Sequence, residues 1–225
     1  MSRFDAVWLD AGGVLVLPDP TVLGPLLAYY GAAAGIERHR RAHYAAMAAK
    51  SAQGAEERDW RQYDEAYVRS LDVSEELVDE ASRALGRVRI ADLWRWPIPE
   101  SVDALRALGS GGVPLAVVSN ASGQVERSLL LSRVCQVGPG PGTPVRCVID
   151  SHVVGVAKPD PAIFDFAAAH FVGVDRRRIA YVGDSVMMDV GGAVAADLHP
   201  ILIDPYDDHA DAMFERIHSL ADLLA

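Results

Sequence analysis

The sequence predicts an α/β fold: a parallel sheet covered by helices on both faces, interrupted early by a block of helices. Three observations predict it. Short apolar runs alternate with helical patterns through the second half of the chain, as parallel strands with crossover helices require. One strand pattern opens the chain, and no convincing strand follows between about residues 21 and 86. Half of the 225 residues are apolar, enough to bury a sizeable core with a second, smaller unit inserted in it.

Taken in order, residues 4–9 are a short apolar run and read as a buried strand, closed by the turn Asp10-Ala11-Gly12-Gly13. Pro18, Asp19 and Pro20 then punctuate the chain. The stretches PTVLGPLLAYYGAAAG, ERHRRAHYAAMAAKSAQ, EERDWRQYDEAYVRSL and SEELVDEASRALG read as four helices. Ser74, with Glu75 and Glu76 behind it, is a start signal; Gly35, Gly54 and Gly86 are expected stops. Beyond Pro97, a helix at 101–108 leads to the apolar run VPLAVVS at 113–119. A helix at 124–133, a loop GPGPGTP at 138–144 and a strand VRCVI at 145–149 follow. The pattern closes with a helix at 161–171, a strand at 179–183, a helix at 189–196, a strand at 199–203 and a helix at 217–224.

Charge and composition bound the function. The net charge of −10 disfavours loose attraction to nucleic acid or to anionic membrane, although one local cationic pocket is enough for a small anion. Cys135 and Cys147 lack a metal-ligand spacing and read as reduced thiols, with a local bridge across the odd loop between them as the lesser reading. No basic region followed by an apolar stretch opens the chain, and no apolar run reaches membrane-spanning length, so a soluble cytoplasmic protein is expected. Lysine occurs only at Lys50 and Lys158.

The residues that follow the buried strands carry the chemistry. Strand one ends in Asp10, strand two in Ser119-Asn120, and strand four in Gly183-Asp184-Ser185, with Asp189 beyond it; Lys158 follows strand three. A parallel sheet gathers such groups on its carboxyl edge, where ligands of this architecture bind. Carboxylates there are hard oxygen ligands suited to Mg²⁺, one of them can serve as a nucleophile, and a hydroxyl and a lysine suit a phosphate. The turn glycines let backbone approach the phosphate and offer amides to it.

The stretches LDAGGVL, VVSN, AKPDPAIF and VGDSVMMD, in that order, resemble the four motifs of the haloacid dehalogenase superfamily of aspartate-nucleophile hydrolases. The resemblance spans the chain. It implies a Rossmann-like core with strand order 3-2-1-4-5 over residues 1–16 and 97–225, and a helical cap over 17–96 that closes on the site. It further implies Asp10 as nucleophile and metal ligand, and the Gly12 carbonyl as a second ligand. Gly12, Gly13, Ser119, Asn120 and Lys158 would meet the phosphate. Lys158 would bridge it to the nucleophile, and Asp184 and Asp189 would complete a Mg²⁺ site. The branch that cleaves carbon–halogen bonds needs no metal, usually has serine and asparagine around the position of Asp184, and tends to have tyrosine where this chain has Phe164. The acidic fourth motif therefore favours a magnesium site and argues against dehalogenation.

Gly12 departs from the pattern, because phosphatases of the superfamily usually carry a second aspartate there as general acid and base. Loss of such a group costs ~10²–10⁴-fold in rate. Three readings follow: a cap residue does the proton work; the substrate has a good leaving group, such as an acyl or enol phosphate; or the protein is a weak phosphate-binding or regulatory relic. The phosphonoacetaldehyde hydrolases also lack the second aspartate and form a Schiff base on a cap lysine, a role Lys50 would take here. The expected partner is a small phosphorylated metabolite.

Other features read as structural. His39 and His43, four apart on a helix, are expected on a solvated face of the cap. Trp60, Tyr63, Tyr67 and Leu71 follow helical spacing and are expected to pack the cap core. The arginines at 176–178 read as a solvated turn, and PYDDHAD at 205–211 as a surface loop that can border the site.

Overall fold

Among residues 3–52 and 59–224, which the computed structural model describes, six strands form one parallel sheet. They are β1 (Ala6–Leu9), β2 (Leu115–Ser119), β3 (Val148–Asp150), β4 (Ile179–Gly183), β5 (His199–Ile203) and β6 (Glu215–Ile217). Their spatial order is 3-2-1-4-5-6, so the expected five strands fall in the expected order and a sixth extends the edge. Ile217, expected to open the closing helix, instead ends β6, pairs with Ile203 and is buried in the core. Only Leu220–Leu224 coil afterwards, as a short 3₁₀ turn.

The alternation along β1 shows how the sheet is covered. Ala6 and Trp8 join Val118, Tyr181, Phe164 and Phe171 in one apolar cluster. Val7 and Leu9 join Val117, Val182, Leu105 and Leu129 in the other. Successive side chains of a strand point to opposite faces, so both faces of the strand are buried, as a run without polar residues requires.

The insert enters and leaves through an antiparallel ribbon, Val16–Pro18 against Trp94–Pro97. Between them lie α1 (Pro20–Ala28), α2 (Ile36–Ala52), α3 (Arg61–Ser70) and α4 (Glu75–Val88), with an apolar core of their own around Leu23, Met47, Tyr63, Tyr67 and Leu71. Asp19 caps α1, accepting from the Thr21 amide at 2.8 Å, and Pro20 occupies the first turn, where no donor is needed. Ser74 stands at the start of α4 without a side-chain capping bond, and α4 runs through Gly86 to Val88, so that glycine is not the stop. Gly54 lies outside the described residues.

After the insert come α5 (Pro99–Ser110), α6 (Val125–Leu131), α7 (Ala162–Ala168) and α8 (Gly191–Ala195). The expected strand 145–149 is divided. Thr143–Val145 pairs with Cys135–Val137 in a separate two-stranded ribbon, and Val148–Asp150 alone enters the main sheet. The glycine-rich loop between the ribbon strands folds around Gln136, whose amide bonds the backbone of Gly138 and Gly142. Both cysteines are free and buried, and burial pushes their thiols up, Cys135 to about 12 and Cys147 to about 11.

Helix α2 docks on the core along one face. Arg41 makes two bonds to Asp208 at 2.6 and 2.7 Å, Arg40 pairs with Glu100, and Tyr44 donates to the Gly13 carbonyl at 2.6 Å. Tyr206 packs against both Arg41 and Tyr44. The PYDDHAD segment is thus the seat of α2 rather than a free loop. Both histidines of α2 are buried, correcting the expectation of a solvated face: His39 lies 2.9 Å from the Tyr67 hydroxyl and His43 is fully enclosed. Each imidazole finds a tyrosine hydroxyl on α3 and is satisfied inside the packing, a pairing invisible to helical spacing. Among the described residues no helix is long and apolar enough to cross a membrane.

Candidate active site at the carboxyl edge of the sheet

Parallel register assembles the site. Leu9 is level with Val117 of β2 and with Val182 of β4, so the residues after all three strands reach one edge together. Asp10 follows β1 directly, and its amide bonds the Val182 carbonyl at 2.8 Å. Its Oδ1 accepts from the Ala11 amide at 2.8 Å and lies 3.1 Å from Lys158 Nζ. Ser119, the last residue of β2, lines the same cavity as that carboxylate.

Lys158 is the hub. Its ammonium lies 2.6 Å from Asp189 Oδ1 and 2.8 Å from the Tyr181 hydroxyl, and the side chain is almost wholly buried. Burial alone would lower its pKa, but the carboxylates of Asp10 and Asp189 outweigh that and raise it, so the ammonium keeps its proton. Asn120 sets its backbone: the Asn120 amide donates to the Lys158 carbonyl at 2.9 Å and accepts from its amide at 2.8 Å. Asn120 also lines the cavity, but its side-chain amide is committed to placing Lys158.

Asp184 and Asp189 sit on the loop and turn after β4. A π-helical turn, Val186–Val190, carries Asp189 inward, and Ser185, not Asp184, caps it, accepting from the Met188 amide at 3.3 Å. Wide turns of this kind re-aim side chains at functional sites. Asp189 Oδ2 accepts from the Ser185 amide at 2.9 Å, so both its oxygens are engaged. A Cβ at Gly183 would lie 2.1 Å from the Asp189 carboxyl carbon, so only glycine lets that carboxylate in. Gly13, at φ +67°, makes the same room for Asp184, whose Oδ2 would lie 1.9 Å from a Cβ there. The Gly13 amide, expected to face an anion, is instead bonded to the Val16 carbonyl at 2.9 Å within the turn. Its contribution is space rather than a donor.

Ligand oxygens of Asp10, Asp184 and Asp189 lie within 4.8 Å of one another. Three buried carboxylates so close suit a hard divalent cation such as Mg²⁺, which takes oxygen ligands and would neutralise their mutual repulsion. Without that charge, burial pushes Asp10 up to about 7; Lys158 and Ser119 pull it down, while Asp189 and Asp184 push it further up. Burial likewise raises Asp184, against the hydrogen bond from His43.

The site opens into a cavity of about 430 Å³. Asp10, Gly12, Ser119, Asn120, Lys158, Asp184 and Asp189 line its sheet side. Lys50, Trp60, Arg89 and Trp94 line the other. Lys50 Nζ lies 3.8 Å from the Trp60 ring centroid, with the Arg89 guanidinium 4.8 Å from the same ring. Trp60 lines the cavity and also packs against the helical core, which Tyr63, Tyr67 and Leu71 fill as expected. Lys50 does share the cavity with Asp10. Residues that sequence reasoning missed are His43, 2.9 Å from both Asp184 Oδ2 and the Tyr63 hydroxyl, and Tyr181, Arg89 and Trp94. No local pattern marks them, because each reaches the site through packing between elements distant in the chain.

Comparison with known proteins agrees with this geometry. The family model of haloacid dehalogenase-like hydrolases matches residues 4–197. A phosphoserine phosphatase of Thermus thermophilus is 32% identical over 126 residues, 56% of this chain and 48% of that protein. The chain thus spans about half the length of the curated relatives it matches. A crystal structure of a HAD phosphatase from Thermococcus onnurineus superposes with a TM-score of 0.59 at 20% identity, covering 99% of this chain and 96% of that one. A magnesium-bound structure of the HAD-hydrolase YfnB from Bacillus subtilis gives 0.58 at 16%, covering 99% and 97%. With its four motifs gathered on one edge of the sheet and the family model spanning most of its length, the chain belongs to the haloacid dehalogenase-like hydrolases.

Proposed function

We propose that this protein is a magnesium-dependent hydrolase of a small phosphorylated metabolite, acting through a phosphoryl group carried on Asp10. One observation carries the reading: the Lys158 ammonium is fixed between Asp10 and Asp189, at the floor of a cavity that Ser119 and Asp184 also line. That arrangement pairs a nucleophile with a fixed cation and a hydroxyl donor, which is what an incoming phosphate requires.

In this reading Asp10 Oδ attacks phosphorus. Ser119 and Lys158 hold the phosphate oxygens, and Lys158 keeps the Asp10 carboxylate oriented. Asn120 and Tyr181 hold Lys158 in place. Mg²⁺, held by Asp10, Asp184 and the Gly12 carbonyl with Asp189 in support, would supply positive charge against the carboxylates and the phosphate. Residues 17–96 act as a cap that covers the cavity and selects the substrate. The phosphatase name of the Thermus relative and the magnesium in the Bacillus structure support the reading.

The test is release of inorganic phosphate from p-nitrophenyl phosphate with Mg²⁺ or with EDTA, wild type beside Asp10→Asn. Multiple turnovers that need both Mg²⁺ and Asp10 are expected. No turnover would move the reading to a phosphate-binding or regulatory protein. The place of Lys50 on the cavity wall favours a second reading, carbon–phosphorus cleavage through a Schiff base. Borohydride reduction with phosphonoacetaldehyde should then modify Lys50; an unmodified lysine ends that reading.

A further inference from the structure

We infer that His43, carried by the inserted helix α2, is a positioning residue for the metal site: it holds the Asp184 carboxylate, so that Mg²⁺ binding and docking of α2 strengthen each other. This role presupposes the magnesium-dependent reading proposed above and adds a residue of the insert to it.

The three carboxylates are held from different sides. Asp10 accepts from the Ala11 amide at 2.8 Å and faces Lys158 at 3.1 Å. Asp189 accepts from Lys158 at 2.6 Å and from the Ser185 amide at 2.9 Å. Those partners all belong to the sheet and its loops. Asp184 differs. Among the described residues, the hydrogen bond to its carboxylate comes from His43 Nε2, 2.9 Å from Oδ2 and 141 positions away in the chain. One of the three clustered carboxylates is thus held by the insert.

The imidazole is itself fixed. Its Nδ1 lies 2.9 Å from the Tyr63 hydroxyl on α3. The rings of Tyr44, Trp94 and Tyr63 surround it, with centroids at 5.1, 5.4 and 5.8 Å, and the residue is 0% exposed. A ring bonded at both nitrogens and packed by three others has one orientation, so it cannot leave Asp184 unless α2 moves.

The turn after β1 is shaped for this contact. A Cβ at Gly13 would lie 1.9 Å from Asp184 Oδ2 and 2.8 Å from His43 Nε2. Glycine there leaves the room in which the two meet. Tyr44, the next residue of α2, donates to the Gly13 carbonyl at 2.6 Å. Successive residues of one inserted helix therefore grip the loop after β1 and the loop after β4.

A carboxylate held at one oxygen loses less freedom when it binds a cation. Groups that hydrogen-bond a metal's ligands are typically worth about 10–100-fold in affinity. Linkage makes the effect reciprocal: whatever factor docked α2 adds to Mg²⁺ affinity, Mg²⁺ adds to the docking of α2.

The experiment is calorimetric titration of the full chain with Mg²⁺ alone, so the readout does not depend on turnover. His43→Leu keeps apolar bulk and removes both ring nitrogens, whereas His43→Gln keeps an N–H that can reach Asp184. The expected Kd for Mg²⁺ is about 10–100-fold weaker in His43→Leu, with most of that loss restored in His43→Gln. A histidine that only packs the insert would lower Tm without moving this Kd. A His43→Leu Kd equal to or tighter than wild type, or a loss that His43→Gln does not restore, overturns the inference and leaves the magnesium reading standing. Wild type that binds no Mg²⁺ overturns both. A further arm needs no variant to fold. In wild type, hydrogen exchange of the α2 amides is expected to be slower with Mg²⁺ than with EDTA, and unchanged exchange overturns the coupling.

Discussion

Opposite sides of one cavity are made in different ways. On the sheet side, Asp10, Ser119 and Asp184 each stand at or directly after a strand end, and parallel register alone brings them together. On the inserted side, Lys50, Trp60, Arg89 and Trp94 come from helix ends and the return strand, and they meet only because side chains pack on one another. Backbone register holds reacting groups to the tolerance that chemistry needs. Side-chain packing is easier to remodel, so the inserted side can change with the substrate while the sheet side keeps its reaction.

That contrast can be broken most sharply at Asp10. Asp10→Asn is expected to lower phosphate release by ~10³-fold or more, since it removes the proposed nucleophile. It should leave thermal stability unchanged or slightly raised, because a buried carboxylate beside two others is lost while Lys158 keeps Asp189. A variant that loses activity by unfolding would show instead that the sheet side is not a rigid frame. Lys158→Ala is expected to cost about 3–5 kcal/mol in urea unfolding, because it strands two buried carboxylates. A cost under ~1 kcal/mol would mean that they are not held as a buried pair.

Proton linkage sharpens the same point. An unfolded aspartate titrates near 3.9, whereas burial holds Asp10 near about 7. Between those values the folded state keeps a proton that the unfolded state has lost. The stability from Asp10 is thus full below about 3.9 and drains away as pH rises through about 7. A divalent cation competes with that proton. The gain in Tm from Mg²⁺ over EDTA is therefore expected to be larger at pH 8 than at pH 6, and equal gains would break the linkage. The smallest expected effect lies where the insert meets the core. Arg41 and Asp208 are 41% and 15% exposed, so solvent screens the pair, and Arg41→Ala should cost only about 0.2–1 kcal/mol. A Tm drop as large as that of Lys158→Ala would show that α2 is welded to the core rather than docked on it.

What the chain determined by itself is the sheet and the reactive edge. Apolar runs ending in Asp10, Ser119 and Gly183-Asp184 specify buried parallel strands, and such strands present their trailing residues on one edge wherever they fall in the sequence. The helical character of the insert was legible for the same reason, since a period of 3.6 is a local property. Tertiary structure alone decided the rest. His43 reads as an exposed residue until α2 is docked, and it ends beside Asp184, 141 positions away. The ribbon at Val16–Pro18 and Trp94–Pro97 is too short to carry a pattern, yet it sets Trp94 over Gly12. The edge strand β6 exists only because β5 offers it unpaired backbone. Periodicity and turn chemistry are written in neighbouring residues; which side chain stands beside Asp10 and Gly12 is settled by packing between segments that no local pattern connects.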